Sequence, residues 1–188
     1  MNRWVLWVGG LAVLALLAGG TCVRKRNEMV RRTEEMRRTW SEVDVQVQRR
    51  ADLIPNLVAT VKGYARHEEG VFAKAAAARA TLLEARTPAD RMAANAQLDG
   101  VVGRLLAISE NYPQLKASEN FLELQNQLEG TENRIAVARL RYNSSLQDYN
   151  AYISLFPNNL VARWSGFARN NAYFGAASSA AQAPGVNR

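Results

Sequence analysis

The chain has 188 residues with a formal net charge of +7, and 48% of its residues are hydrophobic. This length suits one folded domain with one membrane or targeting segment, and it excludes two large domains. A single cysteine and a single histidine exclude an internal disulfide framework, a cysteine-based zinc site and a histidine-rich metal centre. The excess of basic over acidic residues favours binding to an anionic surface, either lipid headgroups or nucleic acid.

The first element is an uncharged stretch of twenty residues, Trp4 to Val23, bracketed by Arg3 and Arg24. As a helix it would be about 30 Å long, which matches the hydrocarbon thickness of a bilayer. Tryptophans at positions 4 and 7 stand at one end, where an aromatic belt is expected. We therefore predict a transmembrane anchor over residues 1–23.

The charges around this stretch predict its orientation. Only Arg3 and the terminal amine precede it, whereas seven basic and three acidic residues follow over residues 24–38. By the positive-inside rule this flank is cytoplasmic, so the anchor is uncleaved with its N-terminus outside. An exported alternative stays open, because Ala18-Gly19-Gly20 resembles a signal-peptidase site and Cys22 stands where a lipoprotein cysteine would stand. Thr21 is a poor match to the small residue expected before such a cysteine.

The pattern after the anchor is helical throughout. No strong breaker except Pro55 and scattered glycines interrupts residues 23–85, which predicts one long helix, bent at that proline. Residues 24–39 are almost devoid of apolar side chains and predict a charged stalk. From Trp40 the apolar residues recur at three- and four-residue steps, the period of a helix face. These residues are Trp40, Val43, Val47, Ile54, Leu57, Val61 and Tyr64.

Two further helices follow. Thr87-Pro88 predicts the start of a second helix over about 88–110. A third helix, capped at Ser118, carries a heptad seam from Phe121 to Phe156, which is typical of a left-handed helical bundle. A short helix over 159–167 and a disordered tail complete the chain. The predicted fold class is all-α, with an N-terminal transmembrane helix followed by an elongated antiparallel three- to four-helix bundle. The predicted segments are the anchor 1–23, the stalk 24–39, the bundle 40–174 and the tail 175–188.

Several residue clusters stand in order along the chain: Trp40-Ser41-Glu42-Val43-Asp44-Val45-Gln46, Arg49-Arg50-Ala51-Asp52-Leu53-Ile54-Pro55-Asn56-Leu57-Val58, Val61-Lys62-Gly63-Tyr64, His67-Glu68, Asn111-Tyr112-Pro113, Glu119-Asn120-Phe121, Glu129-Gly130-Thr131-Glu132-Asn133, Arg134-Ile135-Ala136-Val137-Ala138-Arg139, Tyr142-Asn143, Tyr149-Asn150 and Phe156-Pro157. Together these clusters resemble the bacterial LemA family of membrane-anchored proteins. The resemblance covers about residues 24–174 and implies a helical bundle behind one N-terminal span, N-terminus outside and C-terminus inside. It implies no enzyme activity, and nothing here selects the magnetosome-associated branch. The flank Gly19-Gly20-Thr21-Cys22 departs from relatives that carry a small residue before the cysteine, which weakens the lipoprotein alternative.

Charged and polar residues of the first and third helices form the candidate functional set. Two interpretations stay open, and both can hold: a groove that binds a partner or an anion, and a buried ion-pair network that sets helix register. In the second, Arg50 or Asp52 would pair with residues of the third helix, and such a network must be complete because buried unpaired charge is costly. The expected shared polar face comprises Arg49, Arg50, Asp52, Asn56, Tyr64, His67, Glu132, Arg139, Tyr142 and Asn143.

Other features carry weaker functional signals. The C-terminal aromatic-basic stretch, which contains Trp164 and Phe167, is expected to contact lipid headgroups or to cap the end of the bundle. No Gly-rich phosphate loop, Ser-His-Asp set or di-iron Glu-x-x-His pairing occurs, so we expect neither catalytic nor cofactor-binding nor metal residues. No nucleic-acid motif occurs, so nucleic acid is not an expected partner.

The function predicted from the sequence is therefore a non-enzymatic, single-pass inner-membrane protein. Its cytoplasmic helical bundle would act as an adaptor or scaffold for a protein partner, and self-association into a homo-oligomer is possible but not required. Two alternatives stay open: an exported periplasmic or envelope protein, cleaved or lipidated, and a metal- or cofactor-binding helical bundle.

Overall fold

The computed structural model describes residues 3–175, and these form helices and short connections without a strand. The predicted all-α fold class is confirmed. Most of the predicted disordered tail, from residue 176 on, lies outside the described residues. In chain order the helices are α1 (Arg3–Tyr64), α2 (Glu69–Glu84), α3 (Pro88–Ile108), a 3₁₀ turn (Ser109–Asn111), α4 (Pro113–Lys116), α5 (Glu119–Ser154) and α6 (Asn158–Ser165).

Helix α1 contains the predicted membrane anchor and continues into the folded part of the chain. It is long and apolar enough to cross a membrane, and none of its most apolar stretch is buried in the protein. A core helix of a soluble protein would bury these side chains, whereas a span exposes them to lipid. Pro55 lies inside α1 without ending it.

The first helix is shorter than predicted, because α1 ends at Tyr64 and a turn over residues 65–68 separates it from α2. The expectation of one helix as far as residue 85 is wrong. Arg79 Nε donates to the Ala51 carbonyl at 3.0 Å, so α2 folds back antiparallel to α1. The physical reason is burial: a straight helix would leave the apolar face of α2 in water. That face comprises Phe72, Ala75, Ala78 and Leu82.

The chain divides into two compact units, of which unit 2 comprises the described residues of Trp40–Arg141 and Ala172–Arg188. Its core is built from α1, α2, α3 and the first half of α5, with α2 packed against α3. The predicted apolar stripe of α1 is buried from Val43 to Val61, but Tyr64 is 43% exposed. The predicted cap of α3 is present, since the Asp90 amide donates to Thr87 Oγ1 at 3.1 Å.

Unit 1 comprises the described residues of Met1–Thr39 and Tyr142–Asn171. Its core is one small apolar cluster, in which Met29 of α1 is fully buried. The segment predicted as a charged stalk therefore has a packed face of its own. The members of this cluster are Met29, Tyr149, Ile153, Val161 and Ala162, with Tyr152 and Phe167 at its edge.

Asparagine side chains hold the C-terminal part of unit 1. Asn150, only 3% exposed, donates to the Asn170 carbonyl at 2.6 Å and accepts from its amide at 3.0 Å. Asn158 donates to the Tyr152 carbonyl at 3.0 Å. An amide side chain offers the same donor and acceptor as a peptide group. It can therefore bond backbone groups that have no hydrogen-bond partner within a helix. The heptad seam of α5 ends earlier than predicted, as Phe156 follows the helix and is 79% exposed.

Candidate functional site

A buried ion cluster in unit 2 joins α1, α3 and α5. Arg50 of α1 is 6% exposed, and its Nη1 lies 2.7 Å from Asp99 Oδ1 of α3. The same nitrogen contacts Glu132 Oε2 of α5, so the predicted ion pair between the first and third helices forms. Arg50, Asn95, Asp99 and Glu132 are called the Arg50 cluster below. One guanidinium thus ties three helices together at a defined register.

The α3 side of the cluster carries an unusual carboxyl group. Asn95, 1% exposed, donates through Nδ2 to both carboxylate oxygens of Asp99, at 3.3 and 3.2 Å. Burial raises the pKa of Asp99; Arg50 opposes the shift, while the nearby Glu132 carboxylate adds to it. The environment therefore disfavours the Asp99 charge on balance, although a cation is in direct contact.

Arg139 of α5 lies beside this cluster and attracts the Asp99 carboxylate electrostatically. Its guanidinium stands 5.3 Å from the centre of the Phe174 ring, which in turn stacks on Trp40 at 5.8 Å. Such a cation–aromatic contact supports the charge without adding an acceptor. Arg139 therefore stands between the Asp99 carboxylate and an aromatic ring.

Four buried side-chain atoms around the cluster have no hydrogen-bond partner among the described residues. Two are donors and two are acceptors, and buried atoms of both kinds are ordinarily bonded by ordered water. A mixed set of this kind suits neither a cation, which needs acceptors, nor an anion, which needs donors. The atoms are Gln46 Oε1, Arg50 Nε, Asn95 Oδ1 and Arg139 Nε.

The remaining residues of the predicted polar face do not join the Arg50 cluster. Arg49, Asp52 and Asn56 are exposed on α1, and Asp52 lies 3.7 Å from Arg79 of α2. His67 is exposed in the turn between α1 and α2. Tyr142 and Asn143 belong to unit 1, where Tyr142 is buried and its carbonyl accepts from Ser145 Oγ.

The structure adds Asn95 and Asp99, which the sequence analysis missed. They lie four residues apart on α3, with buried Leu98 between them and Val102 one turn on. The missed signal is that polar residues occupy the apolar face of this helix. The neighbouring apolar residue Ala96 is exposed instead. A polar pair at i and i+4 on a buried face indicates a partner on a neighbouring helix.

A second concave region lies near the end of α1. A cavity of about 300 Å³ is lined by Tyr64, Asn111, Tyr112, Pro113 and Gln114, which provide two phenol rings and two side-chain amides but no charge. Within residues 3–175, no three histidine, cysteine, aspartate or glutamate side chains converge where a metal ion would fit. The chemistry of the described site is charge pairing between helices.

Comparisons with known proteins agree on one family. The sequence profile of the LemA family matches residues 39–187. Magnetosome protein MamQ 2 of Paramagnetospirillum magneticum is 28% identical over 185 residues, covering 85% of this chain and 67% of the relative. Magnetosome protein MamQ of Magnetospirillum gryphiswaldense is 29% identical over 186 residues, with coverage of 85% and 68%. Protein LemA of Metamycoplasma hominis is 26% identical over 145 residues, with coverage of 75% and 65%.

Proposed function

The chain belongs to the LemA family, and from that premise we propose that it is a non-enzymatic, single-pass inner-membrane protein. Its helical part lies in the cytoplasm and acts as an adaptor or scaffold that presents a helix surface to a protein partner. The Arg50 cluster keeps the helices of that surface in register.

The observation that carries this proposal is the continuity of α1. The exposed apolar stretch passes directly into an arginine-rich helical flank without a loop or a change of element. Positively charged flanks are retained on the cytoplasmic side, which supports an N-terminus outside and a helical part inside. A cleavable signal has its charges before the apolar stretch instead.

The exposed part of the predicted polar face supports the adaptor role. Arg49, Asp52 and Asn56 follow at spacings of three and four, so they lie along one face of α1. Their exposure leaves them accessible, whereas Arg50 is committed to the Arg50 cluster. The interface and the register-setting network therefore use neighbouring but different residues.

Site-specific photocrosslinking in the native cell tests the partner surface. A photoreactive residue replaces Asn56, and charge reversals Arg49→Glu and Asp52→Arg are introduced in the same chain. We expect a discrete crosslinked product that both reversals abolish, while Lys74→Glu at an exposed site on α2 leaves it unchanged. A product that survives both reversals would remove this face from the interface.

Intact mass after purification from the membrane tests the anchor. We expect the full-length mass of 20.8 kDa. A chain beginning after Gly20, or at a lipid-modified Cys22, would make the exported alternative correct and place the helical part outside the cytoplasm.

A further inference from the structure

We propose that the corner between α5 and α6 docks onto the bilayer that α1 enters, through an exposed apolar face. This face comprises Leu155, Phe156, Leu160 and Trp164 and is called the corner face below. The inference rests on the membrane insertion proposed above, and it is independent of the identity of any protein partner.

The register of unit 1 brings this corner to the end of the membrane anchor. Along α5 and into α6, successive residues contact progressively earlier positions of α1, so the two run antiparallel. The C-terminal end of α5 therefore approaches the point where α1 leaves its apolar stretch. Three contacts define this register: Thr39 with Ser145 (Oγ1 to Oγ, 2.8 Å), Met29 with Ile153 in one apolar cluster, and Lys25 with Asn158 (Nζ to Oδ1, 2.6 Å).

The level of Lys25 lies within the headgroup region. Lys25 is two residues beyond Val23, which is about 3 Å along a helix axis. The polar region on each side of the hydrocarbon is about 5–8 Å deep. Because Asn158 is bonded to Lys25, the residues on either side of Asn158 stand at the same depth as lipid headgroups.

The corner face is apolar, yet packing within unit 1 does not bury it. Helix α6 buries Val161 and Ala162 on one side and leaves Leu160 56% and Trp164 84% exposed on the other. Leu155 and Phe156, just before α6, are 61% and 79% exposed. Tryptophan and other amphipathic aromatic groups are enriched at membrane interfaces, where one end is apolar and the other is wet.

Charge complementarity selects a bilayer as the occupant. After Asp148 the sequence contains no acidic residue, whereas Arg163 lies between Leu160 and Trp164 and Arg169 follows shortly after. An apolar face with basic residues and no acid is typical of segments that lie on anionic lipid. The cytoplasmic leaflet supplies both the apolar layer and the negative charge.

Nitroxide accessibility in the full-length chain tests the proposal. The single native cysteine is removed by Cys22→Ser, and one cysteine is introduced at a time and spin-labelled. Arg163→Cys reports on the corner face and leaves its four apolar side chains intact. Gln147→Cys, exposed on α5 about two turns before the corner, is the aqueous control, and Leu14→Cys reports insertion of α1. The protein is reconstituted in vesicles of phosphatidylethanolamine and phosphatidylglycerol, and collisions with oxygen and with an aqueous nickel chelate are compared.

We expect the ratio of oxygen to nickel accessibility at position 163 to exceed the ratio at position 147 several-fold. Adding Leu160→Ser and Trp164→Ser should lower it to the level of position 147, with helicity unchanged because both side chains are exposed. An unchanged ratio in that variant would overturn the proposal.

The other outcomes distinguish failure of the docking proposal from failure of the proposed membrane insertion of α1. If position 163 resembles position 147 while Leu14 is in lipid, only the docking of the corner face is overturned. If the label at position 14 is in water, the membrane insertion of α1 fails, and the proposed function fails with it. Exclusion of both reagents from position 163 would mean that protein, such as a second copy, covers the corner face, which also overturns the proposal.

Discussion

Removal of the Arg50 guanidinium is the most informative perturbation of unit 2. Arg50→Met keeps an unbranched apolar stem of similar length but leaves the Asp99 and Glu132 carboxylates without their shared cation. We expect the helices of unit 2 to lose stability, because two anions then face each other next to a buried position.

The expected magnitude follows from burial. Breaking a buried ion pair by removal of one partner costs about 3–5 kcal/mol. The side chains of Asp99 and Glu132 keep 34% and 43% exposure, so water screens part of the remaining repulsion. We therefore expect the lower end, about 3 kcal/mol, which lowers Tm by about 6–12 °C for a chain of this length.

The assay is thermal and denaturant unfolding of the full-length protein in detergent, followed by far-UV circular dichroism. The matched control is Arg49→Met, because Arg49 is the exposed neighbour of Arg50 and should change stability by no more than about 0.5 kcal/mol. The triple variant Arg50→Met, Asp99→Asn, Glu132→Gln should recover most of the loss, since it leaves no unpaired charge. Equal stability of Arg50→Met and Arg49→Met, or a triple variant no better than Arg50→Met, would refute the reasoning.

Three further predictions concern the same helices. Burial raises the pKa of Asp99 in the folded state above its unfolded value. Between these two pKa values the folded state binds more protons than the unfolded state, so the contribution of Asp99 to stability grows as the pH falls from neutral towards 3.8. The free energy of unfolding of Asp99→Asn, measured against pH, should lack this rise and should be at least the wild-type value at pH 7. A loss of more than about 1 kcal/mol at pH 7 would contradict this prediction. Met29→Ala should destabilise unit 1 by about 2 kcal/mol in denaturant unfolding, whereas Val30→Ala at the exposed next position should have a small effect. Thr87→Ala should cost about 1 kcal/mol through loss of the α3 cap, and Thr87→Ser should restore stability if the hydroxyl is the cause.

Local signals in the sequence predicted much of the helix plan. Thr87 and Pro88 start α3 as predicted, because a capping hydroxyl and a first-turn proline act within one turn of chain. The pairing of Arg50 with Glu132 was also predictable, since a charge inside an apolar stripe requires a partner on a facing helix.

The missed features depend on contacts between distant parts of the chain. Residues 65–68 contain neither glycine nor proline, and the flanking Gly63 and Gly70 both lie inside helices. The reversal after α1 therefore follows from burial of the α2 face. The Asp99 side chain keeps about one third of its exposure, and nothing in its local sequence marks it, so its role follows only from its distance to Arg50. The packing of Met29 likewise requires α6 to fold back beside α1, which a polar flank does not indicate.

The orientation of the helical part is the central claim, and cysteine labelling tests it most directly. In the Cys22→Ser background, Gln147→Cys places one exposed thiol in unit 1. Spheroplasts are treated with a membrane-impermeant maleimide before and after lysis. The account predicts that this thiol is labelled only after lysis, because the arginine-rich flank holds the helical part in the cytoplasm. Full labelling in intact spheroplasts would place the helical part outside and contradict the cytoplasmic adaptor.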